Sequence, residues 1–167
     1  ELLTDKATVG IDDDLLIYGA SGGVGHIGVQ LGRWFGADVT ATGSTEEKRD
    51  FAEKLGADHT VDYTATDVAA YVKEYADGDG FDVAFDPVGD DHLQTAFEAV
   101  RPFGAVVTTE SSSTQDISAL HANSLELGVV LVILPVLLGD RQARIGEELA
   151  DIASLVDDGV VEPHVDE

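Results

Sequence analysis

The stretch Gly19-Ala20-Ser21-Gly22-Gly23-Val24-Gly25 constrains this chain more than any other. It follows directly on a short apolar run, Leu15-Leu16-Ile17-Tyr18. Beyond it, Val24, Ile27, Gly28, Leu31 and Phe35 recur at the spacing of one helix face. Only a strand that bends sharply into a helix satisfies both flanks. Ala20-x-Gly22-x-x-Gly25 matches the G-x-G-x-x-G pattern with alanine first. Small residues at Ala20 and Gly22 let the chain turn and let backbone approach a pyrophosphate, while Gly25 lets the helix press onto the strand. Free N–H groups at the helix start, backed by its partial positive charge, hold the anion. A dinucleotide is the expected ligand.

The rest of the chain repeats the alternation of strand and helix. Gly36 stops the first helix, and a second strand follows at 39–42. Ser44-Thr45-Glu46-Glu47 reads as a capping box that opens a helix running to Leu55, stopped by Gly56. Further strands are predicted at 59–62, 82–85, 105–108 and 129–134. Helical stripes fall at Val68, Tyr71, Val72 and Tyr75, then at Leu93, Ala96, Phe97 and Val100. The last stripe is Ile145, Leu149, Ile152, Ala153 and Val156, ended by Gly159. Such alternation predicts an α/β fold: a Rossmann doubly wound, six-stranded parallel sheet with helices on both faces. No repeat or low-complexity linker interrupts it, so residues 1–167 read as a single NAD(P)-binding Rossmann domain.

Composition narrows the partners. Asp+Glu outnumber Lys+Arg by 33 to 9, a formal net charge of -24, although 44% hydrophobic and 25% charged residues are ordinary for a globular domain. So acidic a surface argues against nucleic acid and against an anionic membrane, both of which need a basic face. The acids are dispersed along the length, which suits a cytoplasmic protein kept soluble in concentrated salt, as in a halophile. Zero Cys excludes disulfides and thiol nucleophiles, and His26, His59, His92, His121 and His164 lack metal-ligand spacing, so no zinc is expected. The apolar run 127–138 is too short to span a bilayer. No secretory signal is visible at the start, and the chain lacks an initiator Met, which suggests a piece of a longer protein.

The end of the second strand decides the cofactor. An acid there would bind the ribose 2′-hydroxyl of NAD, whereas small and basic residues accept the 2′-phosphate of NADP. Ala41-Thr42-Gly43-Ser44-Thr45 carries no acid, and Lys48-Arg49 places two of the few cations just beyond. NADP (NADPH) is therefore expected over NAD, with Ser44 and Lys48 as candidate ligands; a helix cap for Ser44 and a solvated face for Lys48 and Arg49 are the alternatives.

Taken with Gly36-Ala37, Gly43-Ser44-Thr45-Glu46-Glu47-Lys48, Leu55-Gly56-Ala57-Asp58, Val61-Asp62-Tyr63 and Phe85-Asp86-Pro87-Val88-Gly89, the glycine turn resembles the cofactor domain of medium-chain dehydrogenases/reductases, in the zinc-independent quinone oxidoreductase (zeta-crystallin-like) branch. The resemblance covers nearly the whole chain. It implies that Gly23 and Val24 lie under the pyrophosphate, and that Ser44, Lys48 and Tyr63 surround the 2′-phosphate. It places Pro87 near the cofactor and Thr109, Glu110 and Ser111 where the chain passes the nicotinamide. A small residue is usual at 110, so Glu110 departs from the pattern. The family's N-terminal catalytic domain is missing from this sequence, which implies a chain that binds cofactor but is catalytically incomplete. Its substrate in the full-length protein would be a small-molecule carbonyl or quinone, and a homodimer through the last strand is implied as well. Three rivals stand beside this reading: a non-catalytic NAD(P)-sensing module, a zinc-type alcohol dehydrogenase cofactor domain, and a methyltransferase. A short-chain dehydrogenase needs a Tyr with Lys four residues on, and no tyrosine here has one.

Overall fold

The computed structural model describes residues 2–110 and 112–165. Its six strands are β1 (Asp14–Ile17), β2 (Asp38–Thr42), β3 (His59–Val61), β4 (Phe81–Asp86), β5 (Val100–Thr108) and β6 (Glu126–Val129). They form one sheet in the order β3-β2-β1-β4-β5-β6, parallel at every pairing. The α-helices are α1 (Gly25–Phe35), α2 (Glu46–Leu55), α3 (Val68–Tyr75), α4 (Asp91–Ala99), α5 (Ser118–Asn123), α6 (Leu134–Leu138) and α7 (Gln142–Asp157), and a short π-helix, Leu2–Lys6, precedes β1. This is the Rossmann arrangement. Strand order reverses between β1 and β4, and a crevice therefore opens at the carboxyl ends of those two strands.

Side chains along β1 alternate between two cores, because successive residues of a strand point to opposite faces. Leu15 and Ile17 join Val29 of α1, Val39 and Ala52 of α2 in one cluster. Leu16 and Tyr18 join Tyr71 of α3 and Phe97 of α4 in the other. A strand buried on both faces needs a continuous apolar run, and the 15–18 segment supplies it. The phenols of Tyr18 and Tyr71 share a buried hydrogen bond of 2.9 Å, and burial raises the pKa of both, so they stay protonated. All three predicted stops are glycines with positive φ: Gly36 at 89°, Gly56 at 105° and Gly159 at 72°.

The last third departs from expectation. The sixth strand is Glu126–Val129, not 129–134, and the chain then turns into α6 with Pro135 in its first turn. Proline lacks the N–H that a ladder needs but suits the first turn of a helix. The predicted strand was an unbroken apolar run without periodicity, which cannot distinguish the two. Helix α5, only six residues long, gave no stripe to find. Val100, counted with the α4 stripe, is the first residue of β5. Helix α7 forms where its stripe predicts but buries none of its 16 residues. No helix among the described residues is long and apolar enough to cross a membrane.

Candidate cofactor-binding site

The glycine turn sits in the crevice. Gly19 takes φ +58°, and a Cβ on it would lie 2.6 Å from Val88 Cγ2, so the β1–α1 turn closes against the β4–α4 loop. Ala20 is fully buried and shapes the turn from beneath. Gly22 donates its N–H to Gly19 O at 2.8 Å. A Cβ on Gly25 would run into the carbonyl of Gly19 and into Ala20 Cα, so the helix can start here only with glycine. Gly23 is different: nothing lies within 4 Å of where its Cβ would be. The chain itself does not need glycine there, and the open space is what an approaching phosphate requires. Among the described residues the N–H groups of Gly23, Val24 and Gly25 have no acceptor. These features fit a diphosphate.

His26 and Gln30 brace the turn from behind. Backbone N–H of His164 donates to His26 Nε2 at 3.0 Å, so that nitrogen accepts and Nδ1 carries the proton it shares with Gly22 O at 2.9 Å. Gln30 accepts from Glu162 N–H at 2.7 Å and donates to Glu162 O at 3.1 Å. Both side chains are buried.

At the end of β2 the helix cap is Thr45, whose hydroxyl accepts from Lys48 N–H at 3.3 Å. Ser44 is thereby released from capping, and its hydroxyl instead accepts from Lys48 Nζ at 3.4 Å. β2 and β3 pair through Thr42 and Val61, so Ser44 and Tyr63 stand at the same height beyond adjacent strands. Tyr63 is 38% exposed and packs edge-on against the His92 ring, with centroids 4.9 Å apart. Ser44, Lys48 and Tyr63 therefore stand on one rim. The charge of Arg49 is spent internally: it pairs with Asp62 at 3.0 Å and donates to Gly43 O at 3.1 Å.

After β4, the fully buried Asp86 accepts the N–H groups of Val88 (2.9 Å) and Gly89 (3.1 Å), which fixes the loop that carries Pro87. Burial raises the pKa of this carboxyl, while the Gly89 and Val88 N–H groups and His92 pull it back down. After β5, Thr109 and Glu110 are half-buried. Glu110 lies over Gly89, with its Cβ 3.0 Å from where a Gly89 Cβ would be, and it accepts from Ser112 N–H at 2.7 Å. Ser111 lies outside the described residues. Val88, 43% exposed beside Gly19, is a crevice residue that the sequence reading passed over; its only signal was its place in Asp86-Pro87-Val88-Gly89.

The histidines do not converge on one point: His164 donates its backbone N–H to His26 and its ring touches Phe51, His59 stacks on Tyr75, and His92 lies between Tyr18 and Tyr63. Among the described residues no three His, Asp or Glu side chains gather around a common point. A separate recess of about 540 Å³, lined by Gln30, Arg33, Trp34 and Lys54, lies toward the far end of α1 from the glycine turn.

Comparison with known proteins agrees with this geometry. Residues 23–139 match the zinc-binding dehydrogenase family. A 2-haloacrylate reductase of Burkholderia is 47% identical over 92 residues, which are 55% of this chain and 28% of that protein. A probable quinone oxidoreductase of Schizosaccharomyces pombe is 33% identical over 83% of this chain and 41% of its own length. The crystal structure of an Escherichia coli quinone oxidoreductase complexed with NADPH superposes with a TM-score of 0.85 at 26% identity, over 99% of this chain and 51% of that one. The chain thus spans about half, or less, of each of these three proteins. It belongs to the zinc-binding dehydrogenase family.

Proposed function

We propose that this chain is the NADPH-binding part of a cytosolic oxidoreductase that transfers hydride to a quinone or another carbonyl or enone substrate. The observation that carries the reading is the rim beyond β2, where Ser44 and Lys48 lie 3.4 Å apart and residues 41–45 include no acid to claim a ribose 2′-hydroxyl. Gly22, Gly23, Val24 and Gly25 would hold the pyrophosphate; Ser44, Lys48 and Tyr63 would hold the 2′-phosphate. Pro87, Thr109 and Glu110 would flank the nicotinamide end. The bound cofactor supplies the hydride. Titration calorimetry tests the assignment: Lys48→Ala should weaken NADPH by about tenfold, the scale of one hydrogen bond to a charged group, and leave NADH unchanged. Equal affinity for both cofactors in the parent chain would overturn it.

Hydride transfer requires substrate and nicotinamide in near-attack geometry. The reading expects residues 1–167 alone to bind cofactor and turn over little; rapid quinone reduction by this chain alone would contradict that. The apolar side chains Leu127, Val129 and Leu131 to Leu134 are exposed at and just beyond β6, which is an edge strand. They support a homodimer across that edge, and equilibrium sedimentation showing only monomer would remove it. The charge of -24 supports adaptation to concentrated salt, with a melting temperature that rises from dilute buffer to molar KCl.

A further inference from the structure

We propose that Arg49 is a positioning residue: by tying the residue before Ser44 to the residue before Tyr63, it sets the width of the 2′-phosphate seat. The inference rests on the cofactor reading above.

The strand ladder between β2 and β3 ends at Thr42 and Val61, with one further bond from Gly43 N–H to Val61 O at 2.9 Å. Beyond that point no backbone hydrogen bond among the described residues joins the two loops. The guanidinium of Arg49 continues the connection. Its NH1 reaches Gly43 O at 3.1 Å on one loop and Asp62 Oδ2 at 3.0 Å on the other. Gly43 makes room for this, since a Cβ there would lie 3.0 Å from Arg49 Cγ and 3.3 Å from Arg49 N. Asp62 is itself held in place: its Oδ1 accepts from the Thr64 hydroxyl at 2.6 Å and from Thr64 N–H at 3.0 Å. Those bonds, together with Arg49, lower its pKa and keep it ionised at neutral pH.

The two neighbouring cations therefore divide the work. Lys48 is exposed and its ammonium faces Ser44, so it meets the phosphate as a charge. The side chain of Arg49 is only 22% exposed and already neutralised by Asp62, so it acts through geometry. One guanidinium nitrogen makes both contacts, and lysine at 49 would keep the charge but on a flexible stem without the pre-organised planar head that aims that nitrogen.

Asp62→Asn tests this by sign. Removing a negative charge near a phosphate should, by Coulomb's law alone, tighten NADPH. If Arg49 acts by positioning, losing its anchor should weaken NADPH instead, by about tenfold for a lost charge-assisted bond, with NADH unchanged. Asparagine keeps the oxygen that Thr64 uses, which guards the fold. Arg49→Lys should give the same split. NADPH and NADH are titrated against the protein containing this chain, with thermal melts alongside and Lys48→Ala as reference. If Lys48→Ala fails to separate the two cofactors, the 2′-phosphate reading itself fails. If Lys48→Ala separates them but Asp62→Asn tightens NADPH or leaves it unmoved, the positioning role is overturned. A parallel loss of both cofactors with a lowered melting temperature also overturns it, since that is a merely structural role.

Discussion

Two regions of this molecule treat apolar side chains in opposite ways. At the centre of the sheet, Leu15, Leu16 and Ile17 of β1 are fully buried, and α1 buries Gly25, His26, Gly28, Val29, Gln30 and Gly32. From α6 onward, Leu137, Leu138 and Leu149 are 69%, 70% and 64% exposed, and α7 buries nothing. Sequence composition is similarly apolar in both. The difference is that the centre finds its cover inside the chain, on two faces, while the later helices carry a stripe that the described residues leave uncovered. Large apolar side chains exposed in such number mark a contact surface more often than a free one. The cofactor reading draws on the first region and the dimer proposal on the edge of the second.

Paired substitutions can break this contrast. The largest effect is expected at helix glycines. Gly25→Val should cost about 3 kcal/mol or more and abolish cofactor binding, because its Cβ meets backbone that cannot move aside. Gly146→Ala in α7 should do the reverse. Nothing lies within 4 Å of a Cβ there, so the helix gains about 0.5–1 kcal/mol. Urea melts of both variants decide the matter, and a shared sign would dissolve the distinction. Next come the leucines: Leu16→Ala should cost about 3 kcal/mol as a cavity in a two-sided core. Leu149→Ala should stay within about 0.5 kcal/mol in the monomer. A smaller loss, about 2 kcal/mol, is expected for Gln30→Ala, which leaves the Glu162 N–H without its buried acceptor. Faster hydrogen exchange confined to residues 160–165 would show that this segment is what the side chain holds.

How much of this was legible follows the same divide. The turn from β1 into α1 depends on residues within a dozen positions of one another, so its glycines and helix stripe announced it. Ser44 was half legible: the capping signal was present, but which of two adjacent hydroxyls caps is decided by φ/ψ, and Thr45 takes the role at φ -134° and ψ 156°. The Arg49–Asp62 pair was out of reach. Its partners are brought together only by the register of β2 against β3, which no local pattern encodes. Glu110 could be recognised as unusual, but its resting place over Gly89 follows from the β4–β5 pairing. Beyond residue 126 the difficulty is physical as well. An apolar run that ends up exposed carries no inside-outside period, so strand and helix look alike, and β6 was expected three residues late.

The smallest effect expected is one of charge within the buried centre, and it sharpens the contrast by asking what burial does to an acid. Asp86 has no exposed surface, and burial lifts its pKa above the usual carboxylate value even though two N–H groups and His92 oppose the shift. A carboxyl that holds its proton to higher pH when folded than when unfolded contributes stability below the unfolded pKa of about 3.9. That contribution is lost as pH rises through the folded pKa. At neutral pH the ionised group is thus a net burden on the fold. Asp86→Asn keeps Oδ1, which accepts from both Val88 and Gly89, replaces Oδ2, the second acceptor of Gly89, with an amide, and cannot ionise. In urea melts across a pH series the variant should match the parent in strong acid and gain on it as pH rises, levelling off once Asp86 is fully ionised. The exposed rim supplies the opposite sign: Asp62, its pKa lowered by Thr64 and Arg49, contributes stability at neutral pH that is lost as pH falls through the folded value. Should Asp86→Asn instead lose ground as pH rises, the Val88 and Gly89 N–H groups and His92 would outweigh burial, and Asp86 would belong with the rim in the way it responds to protons.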